Sequence, residues 1–316
     1  MRVGLVSMRW CDFGGWPTYT RHLYTGLQQA GHEPTVLTDG KVMSGWKGVM
    51  NFAPIDNLEE YDKLIVVVFA PDAEVSAKIR GKIDAMVLHD PTEWRRKAAK
   101  RLICKLEPPQ LIFIRDKPLR TFLNAGFYRL ARTDFIPHPY ARMCDKHAPT
   151  DRVICTARVD HDKRTHLIVK ADRGVELWTG YINWVYDQER FDSSLKKQAF
   201  YKGAFGFKRE DIANVYDGAC ALVDMSIIAG DGGGTQYTFL EAIDFGADCI
   251  LASDWYAGPR SEMKPGVHYH QVGNVKELQG AIDKVRHGGP VLQCAAKDIL
   301  VSHDAEQIAR QYIELL

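Results

Sequence analysis

Residues 154–168, ICTARVDHDKRTHLI, set Arg158 and Lys163 in a loop between an apolar strand-like run and a helix-like one. Two cations beside a helix N-terminus make a diphosphate site: arginine supplies a planar fork, lysine a point charge, and the helix end favours negative charge. Ordinary solvated loop charge has the same spacing. A second stretch, residues 230–253, reads GDGGGTQYTFLEAIDFGADCILAS. Its three consecutive glycines each cost about 0.5–1 kcal/mol of chain entropy relative to alanine. They lead into an apolar helix, which a merely flexible surface loop would rarely open. Exposed amides at Gly234, Thr235 and Gln236, with Tyr237 and Thr238 following, can hold phosphate oxygens. Glu241, about one turn into that helix, can accept from the paired hydroxyls of a ribose diol.

Three further features belong to the first half. Gly14-Gly15 joins a strand to a helix, where glycine lets backbone N–H groups approach a ligand; a tight turn would use the same pair. It is not G-x-G-x-x-G, and no G-x-x-x-x-G-K-[ST] occurs, which counts against nicotinamide and P-loop readings. His89-Asp90 follows an apolar strand, and an imidazole or carboxylate there can orient a hydroxyl or take its proton. A strand-end turn is the alternative. Beyond it, Trp94, Arg95, Arg96, Lys97, Lys100, Arg101 and Lys105 give six cations with no acid in one helical stretch. Such a helix suits a polyanion such as double-stranded DNA, with Trp94 available for stacking, and basic helices also meet anionic membrane lipids. Arg115, Lys117 and Arg120 extend the patch.

The elements that must position these residues alternate strand and helix. Strands are expected at residues 2–8, 32–37, 64–69, 85–88, 111–114 and 134–136, with helices at about 18–30, 73–82, 93–105 and 118–125. After a Pro/His-rich connector, Pro137 to Pro149, the rhythm restarts with strands at 153–156, 174–178, 220–224 and 249–252. Helices accompany them at 165–171, 210–216, 237–245 and 275–286. This predicts an α/β protein of two Rossmann-like doubly wound domains, residues 1–147 and 148–316, facing a central cleft. The last helix, 303–316, is expected to return to the N-terminal domain. Residues 1–150 carry 22 Lys and Arg against 16 Asp and Glu, and the remainder 19 against 24, so the halves face different partners.

Together these elements resemble the retaining glycosyltransferases of the two-Rossmann (GT-B) fold. Arg158 and Lys163 match that family's R-x4-K pair, and Tyr201-Lys202-Gly203 with Ile212 to Tyr216 match its following strand and helix. Leu240-Glu241-Ala242-Ile243 and Gly246 match the second half of its glutamate-x7-glutamate motif. The first glutamate would fall at Gly233, with Asp231 only nearby, and in the family that carboxylate contacts the transferred sugar. Asp160-His161-Asp162 spells the D-x-D metal pattern of a different glycosyltransferase fold and reads as coincidence here. A narrower resemblance, to the DNA α-glucosyltransferases of T-even phages, accounts for the missing glutamate. It rests on the MR-[IV] start, the glycine loop, Gly31–Thr35, His89-Asp90 and Tyr237–Glu241, with neutral Gln236 where those enzymes carry glutamate.

The resemblance implies a UDP-sugar donor, UDP-glucose by preference, gripped by Gly14, Gly15, Arg158, Lys163, residues 234–238 and Glu241. It implies front-face attack assisted by the leaving phosphate, with His89 and Asp90 at the acceptor. The acceptor would be a hydroxymethylated DNA base, flipped from the stack and held by Trp94, Arg95, Arg96, Lys97, Lys100 and Arg101. A lipid or polysaccharide acceptor is the alternative, and a non-catalytic nucleotide-sugar or nucleic-acid binding module a third reading. No tightly bound cofactor and no metal are expected. Seven scattered cysteines without a C-x-x-C pair argue for reduced cytoplasmic thiols, and no apolar run reaches the ~20 residues of a membrane span.

Overall fold

The computed structural model describes residues 1–7, 15–38, 42, 46, 48–68, 73–89, 93, 97–124, 131–144, 148–227, 235–255 and 261–316. Two compact units emerge: Met1–Ala141 with His303–Leu316, and Arg142–Ser302. The break at Ala141 lies inside the Pro137–Pro149 connector.

The first unit holds β1 (Arg2–Ser7), α1 (Gly15–Gln29), β2 (Glu33–Thr38), β3 (Phe52–Pro54), β4 (Lys63–Val68), α2 (Ala73–Ile79) and β5 (Ala85–Leu88). It continues through α3 (Lys97–Leu106), β6 (Gln110–Phe113), α4 (Asp116–Asn124) and β7 (Arg132–Phe135). Its seven strands are ordered β3-β2-β1-β4-β5-β6-β7, and every pair is parallel. Both faces of such a sheet are covered, so its central strands read as continuous apolar runs; five of the six residues of β1 and of β4 are buried. Val6, Leu64, Val66, Met86, Phe113 and Phe122 belong to the core cluster on one face.

The second unit holds β8 (Arg152–Cys155), α5 (Thr165–Ala171), β9 (Glu176–Trp178), α6 (Trp184–Arg190), β10 (Tyr201–Gly203), α7 (Arg209–Tyr216) and β11 (Ala219–Asp224). It ends with α8 (Tyr237–Asp244), β12 (Asp248–Ala252), β13 (Tyr269–Val272), α9 (Val275–Gly288) and α10 (Gln293–Ser302). The sheet order is β10-β9-β8-β11-β12-β13, again all parallel. In both sheets the order reverses beside the first strand, between β1 and β4 and between β8 and β11. The carboxyl ends of the strands at such a reversal are where doubly wound sheets hold ligands.

The remaining helix, α11 (Ala305–Leu315), belongs to the first unit and lies on α1. Asp304 caps it, accepting from Gln307 N at 2.9 Å. The chain enters it through Tyr140 N to His303 O at 2.6 Å and Ala305 N to Tyr140 O at 3.2 Å. Gly26 is where the backbones meet: a Cβ there would stand 2.1 Å from the Ala305 carbonyl oxygen. The Tyr19 and Tyr312 hydroxyls bond each other in the same buried seam.

Several elements lack the sequence signal used above. β3 is three residues long, and β13 (Tyr-His-Gln-Val) mixes buried and polar positions. α6 is seven residues, about two turns, after its cap Asn183, whose side chain accepts from Val185 N and Tyr186 N. Among the described residues no helix is long and apolar enough to cross a membrane.

Candidate functional site

At the sheet reversal of the second unit, β8 ends at Cys155 and β11 at Asp224. The loop between β8 and α5 is tied down on both sides. Val159 N donates to Tyr181 O at 3.0 Å, Asn183 N to Val159 O at 2.9 Å, and Ile227 N to Asp162 O at 2.8 Å. Asp160 accepts from His161 N at 2.8 Å and from the Asn183 amide at 3.0 Å. Arg158 is half exposed and pairs with Asp162 at 2.7 Å and more loosely with Asp160 at 3.7 Å. An exposed pair of this kind is worth at most about 1 kcal/mol, so a phosphate can displace the carboxylates. The two aspartates of the D-x-D triplet are thus a loop cap and an arginine partner. Among the described residues no group of three or more His, Cys, Asp or Glu is arranged to hold a metal.

Lys163 points its Nζ at the Ser226 hydroxyl, 2.8 Å away. Ser226 in turn donates both its hydroxyl and its amide to one oxygen of buried Asp224, the amide at 2.7 Å. Among the described residues the Lys163 ammonium makes no direct ion pair; a neutral hydroxyl separates it from the carboxylate. That leaves a cation oriented and available to an incoming anion. Burial, with Asp224 adding its charge, pushes the neighbouring Cys155 thiol up to about 12, so it stays an inert core group.

Arg164, the next residue, sits in the left-handed region at φ 48°, ψ 35° and caps α5. Its Nε donates to Met225 O at 2.6 Å, and one terminal nitrogen reaches Asp254 at 2.8 Å and Ser226 O at 3.5 Å. The guanidinium therefore braces the short segment that carries Ser226.

Glu241 is buried on α8 and bonded to the Tyr216 hydroxyl, which the Thr156 hydroxyl contacts at 2.9 Å. Burial first, and then the charge of Glu241, raise the Tyr216 hydroxyl far above its ordinary value, so the phenol keeps its proton and donates it to the carboxylate. The line Thr156, Tyr216, Glu241 fixes a carboxylate at the carboxyl end of β8. The start of α8 lies at the same end of the sheet. Gln236 is its N-cap, and its carbonyl takes the amides of Phe239 at 3.0 Å and Leu240 at 3.1 Å. The first helix bonds thus come from Phe239 and Leu240, a turn past the cap. Among the described residues Thr238 Oγ1 is buried with no hydrogen-bond partner. Thr235 is buried and bonds Glu262, which also accepts from Ser302 at 2.9 Å. Gly246, at φ 75°, stops the helix.

In the first unit, Gly15 opens α1 with no positive φ, and among the described residues a Cβ there would meet nothing within 4 Å. His89 is buried with Nε2 2.8 Å from Val67 O. A carbonyl only accepts, so Nε2 carries a hydrogen. Its amide donates to Glu93, and Tyr19 packs edge-on against the ring at a centroid distance of 4.8 Å. On α3, Lys97 and Arg101 are exposed and Lys100 is half-buried. Gly14, Gly234, Asp90, Trp94, Arg95 and Arg96 lie outside the described residues.

The structure thus puts Arg158, Lys163, Thr235, Gln236, Tyr237, Thr238 and Glu241 at the carboxyl end of one sheet, and His89 and the basic helix in the other unit. Sequence reasoning missed Asp224, Ser226, Arg164, Asp254 and Glu262. An Asp-x-Ser directly after an apolar strand was a usable signal for the first pair. Glu262 reaches Thr235 across a separation of 27 residues, which no local pattern encodes.

No protein-family model and no curated protein sequence matches the chain. Solved structures do. HepE of Anabaena, in complex with UDP and glucose, is similar over 99% of this chain and 98% of its own, at 14% identity and a TM-score of 0.71. T4 phage BGT in complex with its UDP-glucose substrate covers 100% and 99%, at 12% identity and a TM-score of 0.65. The lipopolysaccharide outer core galactosyltransferase WaaB covers 100% and 99%, at 14% identity and a TM-score of 0.60. The fold is GT-B. At these identities the likeness establishes the architecture, and what the site does must be argued from its residues.

Proposed function

We propose that this chain is a retaining glycosyltransferase that moves glucose from UDP-glucose to a hydroxymethylated base in DNA. One observation carries the donor half of the reading. At the reversal of the second sheet, a directed lysine, a helix start whose threonine hydroxyl has no partner among the described residues, and a buried carboxylate share one end of the strands. That set complements a nucleoside diphosphate: Lys163 and Arg158 for the diphosphate, the α8 amides and Thr238 for its oxygens, Glu241 for the ribose diol. The UDP and UDP-glucose bound by HepE and T4 phage BGT support the same donor class.

The chemistry follows from where charge develops. As the bond from the sugar anomeric carbon to the β-phosphate oxygen breaks, negative charge grows on the diphosphate, and fixed cations and amides stabilise it without reorganising. The acceptor hydroxyl attacks from the same face and gives its proton to the departing phosphate. His89, with Asp90, is the candidate pair for orienting that hydroxyl. Gly14, Gly15 and Gly234 are the candidate close approaches of backbone to donor.

The DNA half rests on the basic helix α3, with Lys97 and Arg101 exposed, and on the likeness to a DNA modifying enzyme, β-glucosyltransferase. The test is incubation with labelled UDP-glucose and, separately, hydroxymethylated DNA, unmodified DNA and lipid vesicles. Label in the hydroxymethylated DNA alone, α-linked by NMR, is expected. Label in vesicles, or a β-linked product, overturns the acceptor or the stereochemistry; no binding of UDP-glucose overturns the enzyme.

A further inference from the structure

Arg164 is one of two non-glycine residues among those described with positive φ, the other being Glu107. An L-residue with a Cβ is disfavoured there, and glycine or asparagine is the ordinary occupant. Conformation therefore does not account for arginine at this position. Its side chain does. The guanidinium closes on three oxygens: Met225 O, Ser226 O and the Asp254 carboxylate. Two of these are successive carbonyls of the segment that follows β11. The hydroxyl of Ser226 on that segment is what Lys163 Nζ is aimed at. Lys163 and Arg164 thus diverge from neighbouring backbone positions onto one short segment, one through a hydroxyl and the other through carbonyls.

We propose that Arg164 is a positioning residue for donor binding, which fixes the Met225–Ser226 segment so that the Lys163 ammonium is presented to the donor diphosphate. This rests on the nucleotide-sugar reading above. Arg164 does not itself touch the donor. It acts through Ser226, and Asp254, 47% exposed, orients its outer nitrogen. The left-handed backbone turn serves the same end. It lets Lys163 face Ser226 while the next residue, Thr165, starts α5.

Three substitutions separate this role from general stability. Glycine adopts the left-handed turn freely, so Arg164→Gly keeps the backbone path and removes only the brace. Arg164→Lys keeps the charge but not the planar fork. Ser226→Ala removes the hydroxyl through which the brace is argued to act. UDP affinity by titration calorimetry is the readout, with thermal melts confirming folded protein. Arg164→Gly is expected to weaken UDP binding about tenfold and Arg164→Lys by a smaller factor. In the Ser226→Ala background, Arg164→Gly is expected to cost no more than a further twofold, because the pathway is already cut. The proposal is overturned if Arg164→Gly binds UDP within twofold of wild type. An equal loss with and without Ser226 also overturns it, since that describes a structural residue acting elsewhere. If the wild-type protein does not bind UDP at all, the nucleotide-sugar reading falls, and this proposal with it. If wild type binds and only the brace variants fail to respond, the donor reading stands and Arg164 alone is wrong. Should Arg164→Gly not fold, Arg164→Lys carries the same cycle.

Discussion

The two sheets share a strand order, yet their carboxyl ends are furnished in opposite ways. In the second unit that end is a lattice of charge: Lys163 on Ser226 on Asp224, Arg164 on Asp254, Glu241 under Tyr216. In the first unit, buried imidazoles and phenols cluster around α1. Tyr19 packs edge-on against His89, His22 packs beside Tyr140 at 4.9 Å, and His303 Nδ1 bonds His138 O at 2.6 Å. One end orients its cations through a hydroxyl, carbonyls and carboxylates; the other buries its imidazoles, His22 and His138 among them. Burial first, then nearby Arg21 for His22 and Arg115 for His138, push both histidines well below the usual imidazole range. The same topology therefore gathers oriented charge at one end and buried aromatic and imidazole rings at the other.

The comparison breaks most violently at Gly26. A methyl group there meets the Ala305 carbonyl, and neither backbone can yield. Gly26→Ala is expected to destabilise the first unit by about 3 kcal/mol, since overpacking of this kind costs roughly 1–3 kcal/mol and backbone contacts sit at the top of that range. Urea denaturation checks it, and UDP affinity of the folded fraction should stay unchanged.

Next in size is a pH effect that is strongest in the histidine cluster. An unfolded histidine binds its proton near pH 6.5, whereas buried His22 and His138 bind theirs only at lower pH. Between those values the unfolded chain holds more protons, so stability is present above about pH 6.5 and is lost as the pH falls below it. Each histidine contributes a slope of up to about 1.4 kcal/mol per pH unit. Denaturation midpoints measured from pH 7.5 to 5 should drop steadily, and a flat profile would mean these histidines are protonated in the fold.

Thr238 gives a smaller and sharper contrast. Its buried hydroxyl has no partner among the described residues, so Thr238→Val should leave the ligand-free protein as stable or about 1 kcal/mol more stable. UDP affinity should fall about fivefold. On the other unit, Lys97→Ala with Arg101→Ala should reduce the slope of log affinity for hydroxymethylated DNA against log salt by about 2, close to one per lost phosphate contact. UDP affinity should be untouched.

How far the sequence carried the account depends on the kind of signal. The apolar strands β1, β4, β8, β11 and β12 stand out because a parallel sheet buries both faces, and Gly31 and Gly246 mark helix ends through their positive φ of 81° and 75°. Arg158, Lys163 and Glu241 were legible because each lies within a few residues of a strand end or helix start. What escaped was long-range. Asp224 and Ser226 orient Lys163 from 63 residues away in the case of Ser226, and Tyr216 was visible as part of a matched segment but not as the donor to Glu241. Arg164 could not be recognised without its backbone angles, because a third cation beside Lys163 reads as loop charge.

The central claim is that the second unit holds the nucleotide-sugar, and calorimetric titration of UDP-glucose tests it most directly. Wild-type protein should bind one equivalent. Lys163→Ala should weaken that binding about 30-fold, the loss of a charge-assisted contact worth about 2 kcal/mol. The exposed first-unit variant Lys97→Ala should bind as wild type. Wild-type binding that Lys163→Ala leaves intact would contradict the account.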